Sequence, residues 1–232
     1  MTAPRRRIGY LVFLLSVVAG LGALTVGPTF RVRRTQVYGT LLLDPSAVVA
    51  AARLNGQNPF TVDRAAAVER VLSLGVPESA TVSFALPDTA IVTIVERSPS
   101  YIWKVDSTMY LVASDGTVLG TTSRENERVI VVDSARRPVK IGKTIDVRPL
   151  REAAYLMDYL PRVAHLSPPY VVYSPDRGII VPAANGASIA FGDDRELNLK
   201  LDDLGPTLDA AKARKPLPTL IDLQVPGHPF FR

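Results

Sequence analysis

The chain has 232 residues, a net charge of +5 and no cysteine. The missing thiols exclude disulfides, cysteine nucleophiles and Cys-ligated zinc. The first 34 residues hold six arginines and no acid, so taking away their +6 leaves −1 for the rest; the basicity marks the start of the chain, where lipid head groups rather than nucleic acid are the expected partners.

Ile8 to Val26 carries no ionisable side chain except Tyr10. At ~1.5 Å rise per residue, a helix of this length nearly spans the ~30 Å hydrocarbon core of a bilayer. Arg5, Arg6 and Arg7 precede it and Arg31, Arg33 and Arg34 follow it, so the positive-inside rule is almost balanced. The N-terminal amine and the signal-like order, a basic tail then an apolar run, favour a cytoplasmic N-terminus. The run exceeds the usual ~7–15 residue signal core and no clear A-x-A site follows, so an uncut anchor is expected. The resulting division is a cytoplasmic tail (1–7), a transmembrane helix (8–29), a small domain (30–99) and a larger one (100–232).

Phe30 to Tyr38 alternates as a strand, with Phe30, Val32 and Val37 apolar and Gly39 ending it. Asp44-Pro45 begins a helix with an apolar side of Val48, Val49, Ala52 and Leu54. Asp63 caps a second, bearing Ala66, Val68, Val71 and Leu72, with Arg64, Glu69 and Arg70 facing outward. Ala80 to Leu86 and Ala90 to Val95 are strands joined at Pro87-Asp88, before Glu96-Arg97-Ser98-Pro99. The order β-α-α-β-β makes a small α+β layer pair.

Beyond Pro99 strands dominate. Tyr101 to Val105, Met109 to Ala113 and Thr117 to Leu119 follow one another, the last two across an Asp115-Gly116 turn. Val129 to Val132 is a short apolar run, and Asp146 to Arg162 a helix with Pro149 near its start. Tyr170 to Tyr173 and Gly178 to Val181 form a hairpin; Asn185-Gly186 turns into Ala187 to Phe191. Asp193 or Asp194 is expected to cap a helix carrying Leu197, Leu201, Leu204 and Leu208, which Gly205-Pro206 kinks or splits. Thr219 to Val225 is read as the last strand, ended by Pro226-Gly227-His228-Pro229 before Phe230 and Phe231. The fold class is α+β: an N-terminal transmembrane helix, the β-α-α-β-β domain, then a mainly antiparallel β domain with two helices.

No catalytic set emerges. His165 and His228 are the only histidines and lack H-E-x-x-H spacing; Ser188 lies outside a G-x-S-x-G elbow; no G-x-x-x-x-G-K is present. No catalytic, cofactor or metal residue is therefore assigned. Trp103, with Tyr101 and Ile102, reads as core packing, with a recognition patch as the alternative. Binding suits the chain better than bond-making. A last strand often leaves a free sheet edge, which accepts a partner strand through backbone hydrogen bonds. Thr219, Leu220, Ile221, Asp222, Leu223, Gln224 and Val225 would supply that edge. Phe230 and Phe231 would either close the sheet or mark an interface.

Several of these pieces, in this order, resemble the bacterial cell-division family FtsQ/DivIB. Phe30 to Gly39, Gly56-Gln-Asn-Pro59, Leu86-Pro-Asp to Glu96-Arg97-Ser-Pro99, Trp103 and Leu111-Val-Ala-Ser-Asp-Gly116 are similar to its POTRA domain and to the start of its β domain. Asn185 to Gly192, Leu197, Lys200-Leu201, Leu204 and Ile221-Asp222 resemble the later part. Gln224 departs from the family's frequent arginine, and Tyr101 from its small residue. The resemblance implies a non-enzymatic divisome scaffold at the septum, without cofactor. It implies FtsB- and FtsL-like partners, one of which pairs with the last strand, and a recruitment module at Phe30 to Pro99 marked by Phe30, Val32, Val37, Gly39, Glu96, Arg97 and Pro99. The alternative is a POTRA-type adaptor in protein export or envelope assembly.

Overall fold

In the computed structural model the backbone is described for residues 4–26, 30–125, 128–183 and 186–232, and the side chains for these except 4–9, 21 and 23–26. The expected tail and crossing therefore lie partly outside the described residues, as does Asn185. The chain divides into two compact units, Met1–Glu96 and Arg97–Arg232.

The first unit begins with helix α1 (Pro4–Val26). From Tyr10 to Gly20 its described side chains are all exposed. Among the described residues, no helix is long and apolar enough to cross a membrane. A three-stranded sheet comes next, with β1 (Arg34–Tyr38), β2 (Pro77–Ala85) and β3 (Thr89–Glu96) in the order β1-β3-β2. β3 pairs antiparallel with β2 and parallel with β1. The parallel pair needs a crossover, which α2 (Pro45–Ala52) and α3 (Arg64–Leu72) supply. Both helices start as their caps dictate: Asp44 Oδ1 accepts from Ser46 N at 2.8 Å, and Asp63 Oδ1 from Ala66 N at 3.0 Å. Val48, Ala52, Ala67 and Val71 pack on Ala90, Val92 and Ile94 of the central strand.

Two details differ from the expected pattern. Phe30 and Val32 precede β1 rather than belong to it. Val32 is nonetheless core, pinned by Val32 N to the Gln57 carbonyl (2.9 Å) and Gly56 N to the Val32 carbonyl (2.8 Å), while Phe30 meets Phe60 edge-on at 5.3 Å. Arg70 does not face outward: its Nη2 donates to the Ala52 carbonyl at 2.9 Å, tying α3 to the end of α2.

Glu96 ends β3 and receives the backbone amides of Leu41, Leu42 and Leu43 at 3.1, 2.8 and 2.9 Å. One carboxylate thus satisfies three consecutive donors in the β1–α2 loop, which has no ladder of its own. Gly39 (φ +87°) makes that loop possible, because a Cβ there would fall 2.0 Å from the Ile94 carbonyl oxygen. Glu96→Ala should destabilise this unit by about 1–3 kcal/mol and speed hydrogen exchange at amides 41–43. Unchanged exchange there would contradict the role.

The second unit holds one nine-stranded sheet in the order β12-β11-β10-β9-β8-β7-β4-β5-β6. Its strands are β4 (Pro99–Val105), β5 (Thr108–Ala113), β6 (Val118–Thr122), β7 (Val129–Asp133), β8 (Val171–Ser174), β9 (Gly178–Pro182), β10 (Ser188–Gly192), β11 (Leu220–Asp222) and β12 (Phe230–Phe231). Pro99 opens β4, so the motif's Arg97 and Pro99 belong here. Arg97 Nη1 meets Asp115 Oδ2 at 2.9 Å, joining the motif to the β5–β6 turn. Burial opposes ionisation of Asp115, yet the Thr117 N–H and the Arg97 guanidinium together hold its carboxyl below the ordinary value.

The sheet is mixed rather than uniformly antiparallel. β4–β7, β7–β8 and β10–β11 are parallel pairs. The last two are bridged by α4 (Arg148–Val163) and α5 (Leu197–Lys212), which makes them βαβ units inside a largely hairpin sheet. Trp103 is core, 2% exposed, in one cluster with Leu150, Leu156, Leu160, Phe191 and Leu204. Neither Asp193 nor Asp194 caps α5. The cap position is Glu196, left-handed (φ 52°) and without a side-chain cap, and Asp193 Oδ1 instead accepts from Arg195 N at 3.2 Å. Pro206 lies inside α5 without splitting it.

Candidate partner-binding edge

The expected free strand, Thr219 to Val225, is not an edge. β11 covers only Leu220–Asp222 and lies between two neighbours. On one side it runs parallel to β10, with Ser188 N donating to the Thr219 carbonyl and Leu223 N to the Ala190 carbonyl at 2.9 and 2.8 Å. On the other it pairs antiparallel with β12. Pro226-Gly227-His228-Pro229 does not end the sheet but reverses the chain. His228 N donates to the Val225 carbonyl, and Gly227 N to Asp203 Oδ2 at 2.6 Å, which anchors the turn to α5. Turn chemistry after a strand predicts a returning strand as readily as a terminus, and Phe-Phe has the β propensity for one.

The edge is β12. Leu220 and Arg232 exchange both backbone bonds at 2.9 Å, and the register continues Ile221↔Phe231, Asp222↔Phe230. Antiparallel ladders alternate bonded and non-bonded pairs. Phe230 and Arg232 therefore direct their backbone groups at β11, and Phe231 directs its N–H and C=O away from the sheet. Pro229, just before, has no N–H to offer.

The seven residues expected to bind a partner separate accordingly. Ile221 and Leu223 are core, 4% and 1% exposed. Asp222 is buried; its carboxylate accepts from Gln224 N and Gln224 Nε2 at 2.9 and 3.0 Å, which shapes the exit from β11. Leu220 and Gln224 are half-buried, whereas Thr219 and Val225 are exposed. Phe230 is exposed, and Phe231 is half-buried beneath the Arg214 guanidinium at 4.6 Å. The opposite edge of the sheet is partly occupied. Val118 N bonds the Lys143 carbonyl and Gly142 N the Val118 carbonyl, and Thr117 bridges Thr144.

Comparison with known proteins places this architecture. No protein-family model matches the chain. A cell division protein FtsQ from Chloroflexus aurantiacus is 32% identical over 229 residues, covering 98% of this chain and 82% of its own. The FtsQ of Chloroflexus aggregans is 30% identical over the same share. That of Mycobacteroides abscessus is 38% identical over 109 residues, 46% of this chain and 35% of its own. The chain belongs to the FtsQ/DivIB family. A role in cell division follows from that membership.

In this FtsQ-family chain, Gln224 and Val225 also form one wall of a cavity of about 430 Å³ below the end of β11. α4 contributes Glu152, which is 7% exposed and whose Oε1 has no hydrogen-bond partner. Burial pushes its carboxyl up to about 8, against a smaller pull from Lys200 and with added push from Asp194 and Asp193. Sequence reasoning passed over Glu152, whose only trace is an acid among the apolar positions of an amphipathic helix.

Because the folded state holds the Glu152 proton more tightly than the unfolded chain, its contribution to stability is full below about pH 4.5 and is lost as pH rises to about 8. Glu152→Gln should remove that part of the pH dependence and stabilise the second unit at pH 8 by on the order of 1–3 kcal/mol. Denaturant melts of both forms across this range check it. Parallel curves would show that Glu152 is not the group titrating.

Proposed function

We propose that this chain is a non-enzymatic, membrane-anchored scaffold of the division machinery. In this reading it recruits FtsB- and FtsL-type partners at the septum by accepting a partner strand on β12. The observation that carries the reading is the match to FtsQ proteins along almost the whole chain.

Other features support it. The apolar run Ile8 to Val26, flanked by arginines, suits a single crossing with the N-terminus in the cytoplasm and the chain from residue 30 onward outside. The β1-α2-α3-β2-β3 unit has the element order of a POTRA domain, suited to contacts with other division proteins near the membrane. The binding role expected of Thr219 to Val225 shifts to the strand outside it: Ile221 and Leu223 hold the sheet end in place, the Phe231 backbone meets the incoming chain, and exposed Phe230 and Val225 flank it.

A proline at 231 removes the outward N–H together with the ring under Arg214, and leaves the bonds of Phe230 and Arg232 to β11 intact. Phe231→Pro should cut co-purification of FtsB-like partners by roughly tenfold or more. Phe231→Ala keeps the amide and should bind better than the proline form. Equal binding by wild type and both variants would rule out strand addition at β12.

A further inference from the structure

The cavity beside Gln224 is bounded by α4, by the β8–β9 turn and by the turn from β10 into α5. Five carboxylates line it: Asp146, Glu152, Asp176, Asp193 and Asp194. Two guanidiniums, those of Arg148 and Arg177, stand among them. Arg148 is already engaged, since its Nε and Nη2 donate to Asp146 at 3.1 and 2.7 Å. That fork, above all the side-chain bond, holds the Asp146 carboxyl below its usual range. Asp193 is also compensated: buried Lys200 donates Nζ to its carbonyl at 2.7 Å and lies 3.5 Å from Oδ1, while Arg195 Nε is 3.4 Å from Oδ2. Three acidic side chains remain, Glu152, Asp176 and Asp194, beside the single guanidinium of Arg177; with Glu152 protonated, the two aspartates still exceed it by one negative charge.

A buried carboxyl oxygen without a donor is costly, and native proteins rarely keep one without a use. Here it borders a cavity with surplus negative charge and room for a planar cation. We infer that this cavity is a receptor for an arginine side chain presented by an extended segment of a partner protein. Guanidinium fits better than a point charge because its N–H groups spread in one plane, and the free acceptors stand on different walls: Glu152 on α4, Asp176 in the β8–β9 turn and Asp194 before α5. The inference does not depend on strand addition at β12.

Cation binding here has a proton signature. Glu152 holds a proton at neutral pH, and a guanidinium against it favours the ionised form. Binding therefore releases a proton; Lys200, Asp193 and Asp194 are the charged groups around Glu152.

The test uses the full chain in detergent and the blocked peptide acetyl-Gly-Arg-Gly-amide, with its citrulline counterpart as the neutral isostere. Titration calorimetry in two buffers of different ionisation enthalpy at about pH 7 should show saturable binding, with release approaching one proton per peptide and falling towards zero by about pH 10. Glu152→Gln should abolish the release and weaken binding by roughly tenfold or more. Asp194→Asn, a change at an exposed wall position, should weaken binding while leaving the release intact. Equal binding of the citrulline peptide, absence of saturable binding, or unchanged binding by Glu152→Gln would each overturn the assignment.

Discussion

A backbone amide at the rim of a sheet must find a partner, and that requirement governs the end of this molecule. α5 carries the chain from β10 back to a parallel β11, which leaves one side of β11 bare. The last residues return to cover it, Leu220 and Arg232 closing the ladder. They move the bare side one strand outward, where it is only two residues long and preceded by proline. A short edge that begins at a proline resists indiscriminate pairing with other chains. It still presents one amide and one carbonyl, at Phe231, to a strand that brings fitting side chains. The loop before α2 meets the same requirement differently: three amides with no strand opposite them converge on Glu96.

Much of this was legible from residue types. Asp44 and Asp63 cap the helices they precede, because an Asx oxygen is the nearest acceptor for a first-turn amide. Trp103 is core because a large apolar ring on its face of β4 joins the cluster that holds Leu150, Leu156 and Phe191. The Glu96-Arg97 pair stood out as a motif, but its physical reason is visible only in three dimensions, as each residue reaches a turn distant in sequence. The misplaced edge has an equally physical origin. Local pattern marks a strand without saying what lies on either side of it, and neighbours in a sheet are set by crossovers of 16-residue helices. Asp193 and Asp194 looked like caps by spacing, yet Asp193 is drawn to Arg195 and Lys200, and α5 starts three residues later with a left-handed Glu196.

The cavity beside Gln224 shows why a buried carboxyl on an amphipathic helix is more informative than an exposed one. Surface acids such as Asp158 pair with a neighbour on the same helix, here Arg162, and contribute little. Glu152 is desolvated and its Oε1 lacks a donor, so its carboxyl keeps its proton well above the ordinary range. The second unit thus offers two chemically distinct surfaces: a backbone edge with exposed aromatic and apolar side chains, and an acidic recess. Neither requires bond-making, in keeping with the scaffold role proposed above.

The most direct test of the central claim is hydrogen exchange at single amides, read by NMR on the full chain with and without the FtsB-like partner proposed for it. Strand addition predicts that the Phe231 amide exchanges quickly alone and becomes strongly protected in the complex, while Ile221, already bonded to β10, is protected in both. A Phe231 amide that exchanges equally fast with the partner bound would contradict the account.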